Sequence, residues 1–273
     1  MSEPVTAAQR RRVARLRRRD ARSETGLFLL EGPQALREAL HFRPELLEEV
    51  YASEEALARH SELASGAGEQ GIRLQRVSER TIASMADTVT PQGVLAVCRQ
   101  FPATLEAALT GARLVAVLDH IRDPGNAGTI LRAADAAGAD AVVFTAESVD
   151  VYNPKVVRST TGSLFHVPVV VEADIDEVIR IAAAQGLQTV AADIRGDDFR
   201  AARAAGELAR PTAWVFGNEA HGLPADVVER LDRSWRLPIF GRAESLNLAT
   251  AASVCLYESA FALADADPGA LGS

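Results

Sequence analysis

Three polar segments carry the residues whose types and spacing could support catalysis. Each follows an apolar run and is rich in glycine, asparagine, serine and charged residues; the segments are 119–132, 216–223 and 237–247. If the apolar runs are parallel strands, these segments lie beyond the carboxyl ends of the strands, where an α/β sheet forms its ligand crevice. Gly217 and Gly241 would let the backbone approach a ligand closely. The pattern therefore predicts one site assembled from three loops.

Taken singly, the polar residues of these loops also have structural explanations. Asn126 could cap a helix, and Ser245 could be the N-cap of the last helix. Glu219 could complement a helix N-terminus. His120 and His221 are better explained as surface or hydrogen-bonded polar residues than as catalytic ones. No spacing of cysteine and histidine indicates a metal site.

Residues 66–71 match the dinucleotide-binding pattern G-x-G-x-x-G letter for letter. Their context argues against that function, because the genuine fingerprint follows a strand and opens a helix. Here a predicted helix ends in the glycines and a strand begins after them, so we interpret the segment as a helix stop. A nicotinamide-dependent oxidoreductase is the alternative that the α/β pattern suggests, and it would need the fingerprint after a strand.

The elements that position the three loops alternate between apolar strands and amphipathic helices. The strands of the C-terminal series are continuous apolar runs, which favours a mainly parallel sheet covered on both faces. The predicted organisation is a basic N-terminal arm (1–23), an α/β substrate-binding domain (24–100), a linker (101–112), a second α/β domain (113–265) and a tail (266–273).

Composition narrows the class of protein. Of 273 residues, 48% are hydrophobic and 24% charged, and the net charge is −8. No apolar run reaches the ~18–20 residues that a membrane span needs, and no segment resembles a signal peptide. Cys98 and Cys255 both lie in apolar runs and cannot form a disulfide framework. We expect a globular cytoplasmic protein without structural zinc.

The charge is unevenly distributed along the sequence. Residues 1–23 contain eight arginines and two acidic residues, a net charge of +6, which leaves −14 for the other 250 residues. A polar helix over 8–22 would present these arginines, and Arg11, Arg15 and Arg18 are candidate contacts to a phosphate backbone. The alternative is a solvated, arginine-rich helix end.

Together the loops resemble the three signature motifs of the SpoU-type (TrmH-like) RNA 2′-O-ribose methyltransferases of the SPOUT class. The motifs are carried by NAGTILR (126–132), by GNEAHGL (217–223), and by LPI (237–239) followed by SLNLA (245–249). The segments NPKVVR (153–158) and GSLF (162–165) between them are also typical of the family. Their order and spacing match.

The resemblance extends to the N-terminal domain. FLLEG (28–32) and TPQGV (90–94) are similar to the substrate-binding domain of the family, which itself resembles small kink-turn-binding ribosomal proteins. The likeness therefore covers roughly residues 8–264.

The resemblance implies S-adenosylmethionine as methyl donor, a trefoil-knotted C-terminal SPOUT domain and a homodimer formed through that domain. Backbone groups of the second and third loops hold the cofactor in this family. By motif position the cofactor-binding residues are Gly217, Asn218, Leu237, Ile239 and Leu246.

The family assigns activation of the ribose hydroxyl to the arginine at the position of Arg132, reaching in from the partner subunit or across the interface. A guanidinium, with a pKa above ~12, is almost never deprotonated, so gripping the adjacent phosphate and stabilising the developing alkoxide is a more economical role. Orientation of that arginine and of the ribose falls to Asn126, Glu219, Ser245 and Asn247. Arg158 is a weaker candidate for a phosphate contact or for support at the dimer interface.

The expected substrate is structured RNA, because a ribose 2′-hydroxyl is more accessible in loops and splayed nucleotides than in regular duplex. By analogy with the family, ribosomal RNA is favoured over transfer RNA, and no membrane is involved. The alternatives are a transfer RNA 2′-O-methyltransferase and a non-catalytic RNA-binding protein of the same fold. The latter would have lost the motif residues, which are all present.

Overall fold

The computed structural model describes residues 5–266. Within this range the ten strands are β1 Leu27–Glu31, β2 Leu47–Ala52, β3 Leu74–Arg76, β4 Val94–Arg99, β5 Leu114–Leu118, β6 Ala141–Thr145, β7 Val169–Ala173, β8 Gln188–Asp198, β9 Thr212–Phe216 and β10 Arg233–Arg236. The thirteen α-helices are α1 Ala7–Arg15, α2 Arg19–Thr25, α3 Pro33–Phe42, α4 Glu54–Arg59, α5 Glu62–Glu69, α6 Glu79–Met85, α7 Leu105–Leu109, α8 Pro124–Ala136, α9 Pro154–Thr160, α10 Ile175–Ala184, α11 Phe199–Ala204, α12 Ala225–Arg230 and α13 Leu248–Ala266.

The chain forms two compact units. Unit 1 contains the chain through Phe101 together with Asp150–His166, and unit 2 contains Pro102–Val149 together with the chain from Val167 onward. The predicted tail, apart from Ala266, lies outside the described residues. No helix in the described part of the chain is both long enough and apolar enough to cross a membrane.

Unit 1 is built on a four-stranded sheet in the order β1-β4-β2-β3. Strand β4 runs antiparallel to both β1 and β2, whereas β2 and β3 are parallel. The predicted α/β character of the N-terminal domain is confirmed. The match to the dinucleotide-binding pattern lies at the end of α5 and is followed by β3, which is the order that excludes a fingerprint.

The predicted basic arm lies inside unit 1 as packed helices. Val13 and Leu16 are fully buried in a cluster with Ile82 and Met85. The single helix predicted over 8–22 is wrong, because the backbone turns extended at Arg18, between α1 and α2.

A buried arginine stabilises this break between α1 and α2. The Arg22 guanidinium donates to the carbonyl oxygens of Leu16 and Arg17, both at 2.9 Å, and its Nη2 lies 2.5 Å from an Asp150 carboxylate oxygen. Its side chain is only 2% exposed. Arg22 therefore holds the fold of unit 1 and is not available to a phosphate.

Unit 2 is built on a six-stranded sheet, all parallel, in the order β10-β8-β9-β5-β6-β7. Every residue of β5, β6 and β9 is buried, as their continuous apolar runs predict. Strand β8 runs to Asp198, and α11 follows it directly. A six-residue helix such as α11 shows too little periodicity to be predicted from the sequence.

The two helices that begin at the first and third loops pack together in unit 2. Helix α8 follows β5, and α13 lies against it, with the Tyr257 hydroxyl donating to the carbonyl oxygen of Ala136 at 3.3 Å. Because β5 and β9 are neighbouring parallel strands, the loops after them emerge at the same edge of the sheet. This edge is where the predicted site residues must meet.

Candidate active site

The first loop ends in a helix cap formed by Asp123. Its carboxylate accepts a hydrogen bond from the backbone N–H of Asn126 at 2.8 Å, and Pro124 occupies the first helical position of α8. The prediction that Asn126 caps this helix is wrong, because it lies inside the first turn. An Asp-Pro pair before a helical run is a start signal that could have identified the cap from the sequence. The side chain of Asn126 is therefore free for other contacts.

Glu219, from the loop after β9, lies at the start of α8. Its carboxylate accepts hydrogen bonds from the backbone N–H groups of Arg122 at 3.2 Å and Asp123 at 3.1 Å, and from the Asn126 side-chain amide at 3.3 Å. The prediction that Glu219 complements a helix N-terminus is confirmed. Its charge is balanced by N–H groups that the helix itself leaves unpaired.

Asn247, from the third loop, completes the cluster. Its side-chain oxygen accepts hydrogen bonds from the N–H groups of Ala249 at 2.9 Å and Thr250 at 3.3 Å, so Asn247 rather than Ser245 caps α13. Its amide donates to the Asn126 side-chain oxygen at 3.1 Å. A continuous chain of hydrogen bonds, Asn247 to Asn126 to Glu219, thus joins all three loops.

Two predicted cofactor residues make contacts within the chain itself. The Asn218 amide donates to the carbonyl oxygen of His120 at 2.9 Å, which links the loops after β9 and β5. At Gly217 a Cβ atom would lie 2.4 Å from the backbone of Gly222 and Leu223. Gly217 is therefore required for close packing of its own loop, and not only for the approach of a ligand.

The third loop offers an open apolar surface. Ile239 is 37% and Leu246 is 40% exposed, and Leu237 is partly buried. Backbone groups of 238–246 form no hydrogen bond within the described part of the chain. Unpaired backbone donors and acceptors beside apolar side chains fit the recognition of an adenine ring and an aliphatic chain.

Arg132 and Ser245 stand apart from the hydrogen-bonded cluster. Arg132 is exposed on α8 and makes no hydrogen bond or ion pair with another described residue. Six residues separate it from Asn126, which is about 9 Å along a helix axis and on a different face. Ser245 is exposed in the third loop and is also without a side-chain partner among the described residues.

The predicted RNA contacts all lie in unit 1, and they differ in availability. Arg11 is exposed and has no partner among the described residues. Arg15 pairs with Glu24 at 3.2 Å, and Arg18 pairs with Asp20 at 2.8 Å.

Arg158 has more ion-pair partners than the other three predicted RNA contacts. It lies between two carboxylates of unit 1, 3.2 Å from Glu31 and 3.0 Å from Asp87. Its contacts therefore favour a supporting role within unit 1 over a phosphate contact.

The remaining reactive side chains offer no second chemistry. Burial raises the pKa of both cysteine thiols, Cys98 and Cys255, which makes them poor nucleophiles. Between residues 5 and 266 no group of three or more histidine, cysteine or acidic side chains is placed to hold a metal ion.

Two family models match the chain. The SpoU rRNA Methylase family matches residues 113–257, and a domain described as RNA 2′-O ribose methyltransferase substrate binding matches residues 29–104. The first match spans all three loops of the hydrogen-bonded cluster.

Individual proteins agree with the family models. The 23S rRNA (guanosine(2553)-2′-O)-methyltransferase RlmP of Bacillus subtilis is 34% identical over 244 residues, covering 89% of this chain and 92% of that protein. The crystal structure of the SpoU methyltransferase AviRb from Streptomyces viridochromogenes in complex with AdoMet matches with a TM-score of 0.79 at 28% identity, over 93% of this chain and 98% of that one. An AdoMet-bound rRNA methyltransferase from Sinorhizobium meliloti matches with a TM-score of 0.78 at 29% identity, over 94% and 96% of the two chains.

Proposed function

Because this chain belongs to the SpoU rRNA Methylase family, we propose that it is an S-adenosylmethionine-dependent enzyme that methylates a ribose 2′-hydroxyl of ribosomal RNA. One structural observation carries this proposal. The three motif loops, distant in sequence, meet through the hydrogen-bonded side chains of Asn126, Glu219 and Asn247.

The third loop fits the cofactor. S-adenosylmethionine supplies a methyl group that the positive charge on sulfur has already activated. Leu237, Ile239 and Leu246 would contact its apolar parts, and the unpaired backbone of 238–246 would bind its polar edges. Gly217 and Asn218 would shape the loop after β9 against the cofactor, in keeping with their contacts inside the chain.

The polar cluster would orient the reactants. Asn126, Glu219 and Asn247 hold one another in fixed positions, so the groups that face the ribose need no reorganisation during transfer. Ser245 would reach the same ribose from the third loop. Arg132 would grip the adjacent phosphate and stabilise charge that develops on the 2′-oxygen, because its guanidinium has no other partner.

A homodimer would supply Arg132 to the cluster of the opposite subunit. Within one chain Arg132 lies on another face of α8 than Asn126, and a second copy can bring it to the site. Val254, Tyr257 and Phe261 form an exposed apolar stripe along α13 with the spacing of one helix face, which supports dimerisation through unit 2. The trefoil knot expected for the SPOUT class would bring the second and third loops together in each copy.

The substrate assignment rests on the relatives and on unit 1. RlmP of Bacillus subtilis is named for 2′-O-methylation of 23S rRNA, and the Sinorhizobium meliloti protein is named as an rRNA methyltransferase, which favours ribosomal over transfer RNA. Unit 1 carries the substrate-binding match and the free cation of Arg11. The enzyme would work in the cytoplasm, where bacterial ribosomal RNA is made.

A methyl-transfer assay tests this proposal. Purified protein is incubated with labelled S-adenosylmethionine and separate pools of unmodified ribosomal and transfer RNA, and the RNA is digested to nucleosides. We expect the label on a 2′-O-methylnucleoside from the ribosomal pool. Label on a base would overturn the chemistry, and label confined to transfer RNA would overturn the substrate.

A further inference from the structure

Phe240 is the most exposed large apolar side chain in the described part of unit 2, at 84%. It lies in the third loop, directly after Ile239 and five residues before Ser245. Single exposed apolar residues are common on protein surfaces. An aromatic ring in the middle of the loop to which the proposed function assigns cofactor and ribose contacts is a different case, because a bound substrate would lie beside it.

The Phe240 ring contacts the side chain of Arg200, which is itself hydrogen-bonded to Asp198. The Arg200 guanidinium lies 5.8 Å from the centre of the Phe240 ring, within the range of a cation–π contact. Arg200 is itself held by Asp198 through two hydrogen bonds, from Nη2 at 2.5 Å and from Nε at 3.1 Å.

The Asp198 carboxylate that holds Arg200 is ionised at neutral pH. The hydrogen bond from Arg200 lowers the pKa of Asp198 to about 2, from an ordinary value of 3.8. Because the pKa is depressed, the pair is intact above pH ~4 and is lost only as the pH falls toward 2. Asp198 is therefore ionised at neutral pH and can accept the hydrogen bonds of Arg200.

The sequence segment that carries Phe240 is more basic than the rest of unit 2. Unit 2 contains 12 basic and 22 acidic residues, a net charge of −10. The ten residues 233–242 contain three exposed arginines, Arg233, Arg236 and Arg242, and no acidic residue. Asp197 and Asp198 lie opposite Trp235 and Arg236 in the β8–β10 pair and offset part of this positive charge. A local concentration of guanidinium groups on an acidic unit is complementary to phosphate.

We propose that Phe240, backed by Arg200, is a stacking platform for an unpaired nucleobase of the RNA substrate. This inference rests on the proposed function and adds a specificity contact to it. An exposed ring stacks on any base through its π-face, and neighbouring arginines bind the backbone, which is the combination that proteins use for single-stranded RNA. The platform would hold the strand splayed while its ribose enters the site.

Three substitutions of Phe240 distinguish stacking from simple apolar contact. Phe240→Ala and Phe240→Leu should each raise the KM for RNA about tenfold, because both remove the π-face, and should leave the KM for S-adenosylmethionine unchanged. Phe240→Trp should retain the wild-type KM for RNA. Ile194→Ala, which alters another exposed apolar side chain of unit 2, is the control and should change neither constant.

A second measurement separates failure of this inference from failure of the proposed function. In Phe240→Trp the new indole is exposed, whereas Trp214 and Trp235 are buried, so its fluorescence should be quenched by a single-stranded RNA oligonucleotide. Quenching without methyl transfer would overturn the proposed function and keep the platform. Methyl transfer with a wild-type KM in Phe240→Leu would overturn the platform alone, as would a changed KM for the cofactor or a loss of dimer in sedimentation.

Discussion

The two units differ in how their arginines are used. Unit 1 has 17 basic and 15 acidic residues, and most of its predicted RNA contacts lie in ion pairs with neighbouring carboxylates. Unit 2 is strongly acidic, yet Arg132 is exposed on it without a partner. Most of the predicted arginine contacts of unit 1 are therefore engaged in ion pairs, whereas Arg132 in unit 2 is left free for a ligand.

Removing the free arginine should have the largest effect. Arg132→Ala should lower the turnover number at least about a thousandfold, because it removes the charge that stabilises the transition state. Its melting temperature and its binding of S-adenosylmethionine should match the wild type, since the side chain makes no hydrogen bond or ion pair within the described chain. Arg180→Ala, on another exposed helix face, is the control. Normal turnover in Arg132→Ala would remove this residue from the mechanism.

Removing the buried side chain of Arg22 should destabilise the fold of unit 1 rather than change the chemistry of the site. Arg22→Ala removes the donors to Asp150 Oδ2 and to the carbonyl oxygens of Leu16 and Arg17, which should lower the free energy of unfolding by about 3 kcal/mol. Arg18→Ala, which breaks only an exposed pair with Asp20, should lower the free energy of unfolding far less than Arg22→Ala. Urea denaturation measures both. Equal stability of the two variants would contradict the distinction between packed and exposed arginines in unit 1.

A smaller effect is expected in the polar cluster of unit 2. Glu219→Gln replaces one acceptor oxygen by a donor, so one backbone N–H at the start of α8 loses its partner, at a cost of about 1–2 kcal/mol. We expect turnover to fall about 10- to 100-fold, with a lower melting temperature. Glu229→Gln, which changes an exposed glutamate on α12, is the control and should leave the turnover and the melting temperature unchanged. Wild-type turnover in Glu219→Gln would show that the cluster is not needed for orientation.

The smallest effect is expected at Arg11. Arg11→Ala should weaken RNA binding a few-fold and reduce the slope of log Kd against log salt by about one, the contribution of one phosphate contact. Arg15→Ala should change the slope less, because this side chain is already paired with Glu24. Filter binding over a range of salt concentrations gives the slopes. A larger change in Arg15→Ala than in Arg11→Ala would reverse this ranking of the predicted contacts.

The sequence predicts the architecture well where the signal is long and periodic. The parallel sheet of unit 2 follows from apolar runs such as β5 and β9, and the three loops at its edge follow from their composition. The alternative explanation of Asn126 and Ser245 as helix caps is wrong, because several polar residues compete within a few positions of each helix start and Asp123 and Asn247 are the caps. The burial of Arg22 could not be predicted, since its partner Asp150 is 128 residues away in sequence.

Residues whose role depends on a second molecule are also beyond the sequence. In the sequence Phe240 is indistinguishable from any other apolar loop residue. Its exposure and its contact with Arg200 are seen only in the structure. The separation of Arg132 from Asn126 follows from their six-residue spacing on a helix, whereas the hydrogen bonds that join Asn126 to Glu219 and Asn247 become visible only in the structure.

The central claim is that each chain holds a complete polar cluster and that Arg132 serves the cluster of a second copy. Co-expression of Arg132→Ala with Asn126→Ala under two affinity tags tests it directly, each variant alone being inactive. Random pairing makes half of the dimers mixed, each with one intact site, so we predict about a quarter of wild-type methyl transfer. Arg132→Ala co-expressed with the double variant of Arg132→Ala and Asn126→Ala is the control and should stay inactive. Background activity in the mixed dimers would show that Arg132 acts within its own chain and would contradict the account.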